Sequence, residues 1–272
     1  MNAGEVGLIR SWADAEQWNP GIHDGPVLFA ADPEGYFVGE LAGKQVGCIS
    51  CVRYGDDFGF LGQYIVRPEC RGLGFGISIW NAGMAHLAGR NVGLDGVLAQ
   101  VKNYERSGFH FAHHHVRYMG TGGGTRPRGL MPVDVISFQT LAEYDDRCFP
   151  AARHEFVHEW IRLPDAIALA AKSGAELTGY GVIRRSTVGF KVGPLFADDT
   201  DTAVRLLGGL IAAIPGEPFC IDMPEPIVQT GTQELVSSFA LSEVFRTARM
   251  YTGGEPAFNK SRVFGITTLE LG

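Results

Sequence analysis

Apolar positions along this chain follow two periods, and together they predict an alternating α/β layout. Tyr36–Leu41, Gln45–Tyr54 and Gly59–Val66 read as successive strands. Gly43-Lys44 and Gly55-Asp56-Asp57 supply the turn chemistry between them. From Phe75 to Leu87 the period changes: Ile79, Trp80, Met84 and Leu87 recur at helical spacing. Ser11–Trp18 predicts a short helix with Trp12 and Trp18 as packing residues. Gly93–Ala99 reads as the next strand, Asn103–Ser107 as a short helix and Phe109–Tyr118 as a final strand.

Apolar periodicity stops at Thr121-Gly122-Gly123-Gly124-Thr125-Arg126-Pro127-Arg128-Gly129, where glycine and proline cluster. This divides the chain into a first domain (1–120), a linker (121–130) and a second domain (131–272), the two domains being of ordinary size. The second half repeats the first faintly. Leu94-Asp95 is echoed by Ile221-Asp222, Ser107-Gly108-Phe109 by Ser237-Ser238-Phe239, and Arg117-Tyr118-Met119-Gly120 by Arg249-Met250-Tyr251-Thr252-Gly253. Each counterpart lies roughly 130 residues downstream, the spacing of an old duplication.

The composition suits a folded small-molecule enzyme. Hydrophobic residues make up 45% and charged residues 19% of the 272, enough for proper cores and too little charge for a disordered chain. A formal charge of −7 argues against a nucleic-acid surface and mildly favours a cationic acceptor. Five scattered cysteines (Cys48, Cys51, Cys70, Cys148 and Cys220) predict reduced thiols and a cytoplasmic protein. Cys48-Ile49-Ser50-Cys51 lies on a strand, where positions i and i+3 face opposite sides, so burial is expected rather than a redox pair. No signal peptide and no membrane-length apolar run are visible.

The most informative stretch is Arg71-Gly72-Leu73-Gly74-Phe75-Gly76, between the strand ending Val66-Arg67-Pro68 and the helix that follows. A glycine turn opening a helix gathers backbone N–H groups and the positive end of a helix dipole, which together bind anions. No Gly-Lys-Ser/Thr follows, and the spacing is not G-x-G-x-x-G. Triphosphate loops and the dinucleotide fingerprint are therefore both excluded.

R-x-x-G-x-G after an apolar strand resembles the pyrophosphate loop of the GNAT acyltransferase superfamily. The resemblance covers nearly all of the first half. It implies tandem GNAT-like domains, each a mixed, mostly antiparallel sheet flanked by helices. It also implies acetyl-CoA as co-substrate, no metal, and N-acetylation of a small-molecule primary amine by direct transfer. On that resemblance Arg71, Gly72, Leu73, Gly74, Phe75, Gly76 and Ile77 would wrap the pyrophosphate. Tyr64, Ile65 and Val66 would pair with the pantetheine amides and offer N–H groups to the oxyanion. Tyr104, in Asn103-Tyr104-Glu105-Arg106-Ser107-Gly108-Phe109, resembles the family tyrosine that protonates the departing thiolate. Family members often carry an asparagine two turns earlier; here that place falls on Val97, and Gln100 is the nearest amide able to reach the pantetheine arm.

The general base is not legible: His23, Asp24, Glu40 and Asp57 are candidates. His110 and His113-His114-His115 are expected as partly exposed strand residues without a metal. In the second half, Phe190–Pro194 takes the place of Tyr64–Pro68, but Asp198, Asp199 and Asp201 stand where the glycines would be, before a helix from Ala203 to Ile214. Carboxylates there cap a helix and repel phosphate. The second half is therefore expected to shape the acceptor pocket, with Arg184, Lys191, Asp222, Arg249 and Tyr251 as candidate lining, or to mediate assembly, a homodimer being one form this allows. Glu155, His158 and Glu159 are expected on a solvated helix face. A CoA-binding sensor with little turnover is the rival reading.

Overall fold

The computed structural model describes residues 1, 3–226 and 228–272. The first half runs α1 (Val6–Ala15), α2 (Asp24–Ala31), β1 (Tyr36–Leu41), β2 (Lys44–Tyr54), β3 (Phe58–Val66), α3 (Phe75–His86), β4 (Asn91–Val97), α4 (Val101–Arg106) and β5 (His110–Thr121). The second half repeats this order. After β6 (Leu130–Pro132) come α5 (Phe138–Asp145), α6 (His154–Trp160), β7 (Ile167–Ser173), β8 (Glu176–Arg185) and β9 (Phe190–Ala197). Then follow α7 (Thr200–Ile211), β10 (Pro218–Pro224), α8 (Thr232–Ser238), β11 (Ser242–Tyr251) and a short β12 (Val263–Gly265) without counterpart.

Two helical expectations need correction. The first helix starts earlier than Ser11, because Val6, Ile9 and Ala13 form its buried face. It ends before Trp18, and the chain then turns through left-handed Gln17 and Asn19. Helix α2 was not predicted, because its apolar run carries no helical period. Helix α7 begins at Thr200 because the Asp199 carboxylate accepts the Thr202 N–H at 2.7 Å.

Among the described residues all the strands join one twelve-stranded sheet, in the order β1-β2-β3-β4-β11-β5-β10-β9-β8-β7-β6, with β12 on β9. The pairings are antiparallel except β3 with β4 and β9 with β10. The halves exchange their last long strands: β11 lies between β4 and β5, and β5 between β11 and β10. Two bidentate ion pairs staple the exchange. Asp95 faces Arg249 across β4 and β11 (2.6 and 3.0 Å), and Asp222 faces Arg117 across β10 and β5 (2.7 and 2.8 Å). These are the Leu-Asp/Ile-Asp and Arg117/Arg249 echoes of the sequence, each aspartate paired with the other half's arginine.

On one face, α1 and α2 of the first half and α5 and α6 of the second cover a shared core that includes Ile9, Leu28, Phe60, Tyr144, Trp160 and Tyr180. On the other face α3 and α7 pack over separate cores.

Parallel pairing of β3 with β4 runs from Phe58–Leu61 against Asn91–Leu94, and the strands then part into a fork. The equivalent fork between β9 and β10 is filled by the chain itself. There β12 pairs with Leu195 and Phe196, and the Thr267 carbonyl sits where a Cβ on Gly193 would meet it at 2.3 Å.

Candidate active site

A cavity of about 690 Å³ passes through the first fork, within the size range of small-molecule sites. One end lies at the glycine loop, where Gly72 and Gly74 have φ of 75° and 86°. A Cβ added at either would project into open space. This is a cradle only glycine forms without strain, at the N-terminus of α3, and it fits an anion. The Arg71 Nε donates to the Val66 carbonyl at 2.8 Å, and its guanidinium also pairs with Glu16. Arg71, Gly72, Gly74, Gly76 and Ile77 line this end. Leu73 is exposed at the tip of the loop, and Phe75 begins α3 within its core. Gly76 lets the Tyr64 hydroxyl approach, since a Cβ there would lie 2.6 Å from it.

In the middle, β3 is irregular. Cys48 faces Ile65 and Ser50 faces Gly62, so Gln63 and Tyr64 together oppose Ile49, and Gln63 takes φ of 49°. This bulge turns Tyr64, Ile65 and Val66 along the cavity wall. From the opposite side of the fork, α4 contributes Tyr104, over Gly96 and stacked on Trp80 at 5.9 Å. Burial, with Tyr64 nearby, pushes the Tyr104 phenol up to about 12, so it is a protonated donor at neutral pH. Gln100 also lines the wall and accepts from Asn103 Nδ2 at 2.5 Å.

The far end opens on the opposite face of the sheet and is lined by residues the sequence reading missed: Trp18, Arg117, Phe245, Thr247, Leu269 and Glu270. Four of these come from the second half. None of its expected lining residues reaches this surface. Arg249 and Asp222 are held in the exchange pairs, Tyr251 accepts from Arg249, and Arg184 pairs with Asp24 at 2.8 and 3.0 Å. The Lys191 Nζ lies 3.9 Å from Glu270 behind the wall.

Of the base candidates, Asp24 is buried against Arg184, His23 sits 3.8 Å from Asp165, and Glu40 and Asp57 are exposed on other surfaces. None lines the cavity. His110 is exposed and His114 half-buried as expected, whereas His113 and His115 are buried beside the exchanged strand β11. His115 Nδ1 meets Asp95 at 2.9 Å, His113 Nε2 meets His115 Nε2 at 3.2 Å, and His113 Nδ1 meets Glu255 at 3.1 Å. Burial and the neighbouring His115 and Arg249 charges push His113 down to about 2. Burial alone would raise the Asp95 carboxyl, but Arg249 and His115 hold it well below the usual range. The five cysteines are free, and burial raises the Cys48 thiol to about 12. Among the described residues no group of His, Cys, Asp and Glu is arranged to hold a metal ion, and no helix is long and apolar enough to cross a membrane.

A forked sheet, a bulged strand, a glycine loop on a helix N-terminus and a second copy of the same layout define a tandem GNAT fold. The chain belongs to the GNAT family and is an acyltransferase of its two-domain type. The profile described as "Acetyltransferase (GNAT) family" matches residues 6–109, and that described as "Acetyltransferase (GNAT) domain" matches residues 141–265. Holothin acyltransferase of a Pseudoalteromonas species is 30% identical over 97% of this chain and 90% of its own. A putative acetyltransferase from Pyrococcus horikoshii shares the fold with a TM-score of 0.85 at 21% identity, over 100% of this chain and 94% of that one. A tandem GNAT protein from the clavulanic acid biosynthesis pathway does so with a TM-score of 0.62 at 14% identity, over 94% and 98%.

Proposed function

We propose that the protein transfers an acetyl group from acetyl-CoA, bound in the first half, directly to a primary amine of a small molecule. The observation that carries this reading is the continuous cavity from the Gly72–Gly76 cradle, through the fork, to a separate face lined by Trp18 and Phe245. Such a passage lets the two reactants meet end to end, and positioning supplies much of the acceleration. Arg71 and the loop amides would hold the pyrophosphate, Gln100 and the strand Tyr64–Val66 the pantetheine arm, and Tyr104 would protonate the sulfur. The filled second fork and the Asp199 cap support one cofactor site per chain. Buried free thiols suit a cytoplasmic location.

The test is thiol release from acetyl-CoA with a panel of primary amines, benzylamine, tyramine and tryptamine among them. Holothin, after which the relative is named, joins the panel. Propionyl- and butyryl-CoA arms report the acyl length accepted. Amine-dependent thiol release with an N-acetyl product is expected. Binding of acetyl-CoA without transfer to any amine would overturn the reading.

A further inference from the structure

Three residues that line the cavity, Gln63, Thr247 and Glu270, each carry a buried side-chain oxygen with no hydrogen-bond partner: Gln63 Oε1, Thr247 Oγ1 and Glu270 Oε2. A buried polar atom without a partner is costly, so three on residues that line one cavity point to a ligand. All three can accept, and Gln63 Oε1 and a carboxylate oxygen can only accept. An alkylammonium brings three N–H donors and a positive charge. Trp18, Phe245 and Leu269 around it offer an apolar, aromatic setting for the rest of such a molecule.

Glu270 is positioned by the backbone. After β12, the Ile266 N–H donates to the Asp222 carbonyl at 2.9 Å. The tail then presses on the bulged strand. The Glu270 carbonyl sits where a Cβ on Gly62 would meet it at 2.1 Å, and the Leu271 carbonyl accepts from the Tyr54 hydroxyl at 3.2 Å. Glu270 is 7% exposed and lines the cavity, with Oε1 3.9 Å from the Lys191 ammonium and Oε2 buried without a partner.

We propose that Glu270 is the base that deprotonates the acceptor, and that with Gln63 and Thr247 it forms the seat of a primary ammonium group. The inference rests on the acetyl-transfer reading above. One ammonium proton passes to Glu270 Oε2, freeing the nitrogen lone pair. That pair attacks the thioester carbonyl carbon; the C–N bond forms and the carbonyl π electrons move to oxygen. On collapse the C–S bond breaks with its electrons on sulfur, which takes the Tyr104 proton. The nitrogen's second proton restores Tyr104 through solvent, and Glu270 releases the first, so each acetylation yields one free thiol and one proton.

The experiment follows thiol release at saturating acetyl-CoA with benzylamine, tyramine and the rest of the panel, alongside calorimetry of acetyl-CoA binding. Glu270→Gln should lower amine-dependent turnover by about 10²–10⁴-fold while acetyl-CoA affinity stays near wild type. Glu270→Gln leaves Lys191 buried without its counter-charge, so Lys191→Met/Glu270→Gln serves as the stability-matched variant and should be equally slow. Glu270→Ala should regain rate when formate is added, which a purely structural role would not permit. Turnover of Glu270→Gln within about threefold of wild type, or recovery of the rate in the double variant, would overturn the assignment and leave acetyl transfer standing. A wild-type protein that acetylates no amine overturns the transfer reading itself, and Glu270's role with it.

Discussion

The Tyr104 phenol is held on two sides, by Trp80 stacked at 5.9 Å and by Gly96, where a Cβ would meet its ring at 2.3 Å. Tyr104→Phe keeps the ring and both contacts and removes the proton donor alone. Turnover should fall by about 10²–10⁴-fold with acetyl-CoA affinity retained, read by steady-state kinetics and calorimetry. An unchanged turnover number would take Tyr104 out of the chemistry. This residue was readable because a short motif surrounds it. Glu270 was not: it stands in a short tail segment with no period, and only the close approach at Gly62 brings it to the cavity. Trp18 packs against the shared core as expected and also lines the cavity, a second role that the left-handed turns at Gln17 and Asn19 give it without leaving a periodic trace.

At the scale of elements, alternation and turn chemistry predicted β1, β2 and β3 closely, because each is bounded by glycine or aspartate turns. Helix boundaries were less legible where a cap set them, as at Asp199. Strand exchange was not legible, since nothing local distinguishes a last strand that returns to its own half from one that crosses. Its signature was nonetheless in the sequence as the two Asp…Arg echoes, which only the sheet shows to be reciprocal. Removing one partner of such a buried pair leaves an uncompensated charge, so Asp222→Asn should cost about 3–5 kcal/mol in urea unfolding. The sign of the pH dependence follows. The Asp95 and Asp222 carboxyls, which burial alone would raise, are held below the usual range mainly by Arg249 and Arg117. The stability they supply is complete above about pH 4, the unfolded carboxyl value, and is lost as pH falls below it. Each contributes a slope of at most about 1.4 kcal/mol per pH unit, and Asp222→Asn should flatten the wild-type loss below pH 4 by one such share. An identical slope in the variant would mean the pair does not staple the exchange.

At the scale of the molecule, two halves that read as separate domains share a sheet, a core and a cavity. Residues 1–121 alone would lack β11 between β4 and β5 and would expose both as unpaired edges. That fragment should aggregate or stay unfolded, whereas the two halves produced together should co-purify and bind acetyl-CoA. An isolated first half that acetylates the same amine at the full rate would contradict the shared site. The acetyl-transfer reading requires that the first fork and its glycine loop hold the acyl donor, while the second fork is plugged by β12. Titration calorimetry with CoA tests this most directly. One site per chain is expected, abolished by Gly74→Asp, a residue that tolerates the left-handed turn but meets the pyrophosphate with a like charge. Two equivalent sites, or one that survives Gly74→Asp, would contradict it.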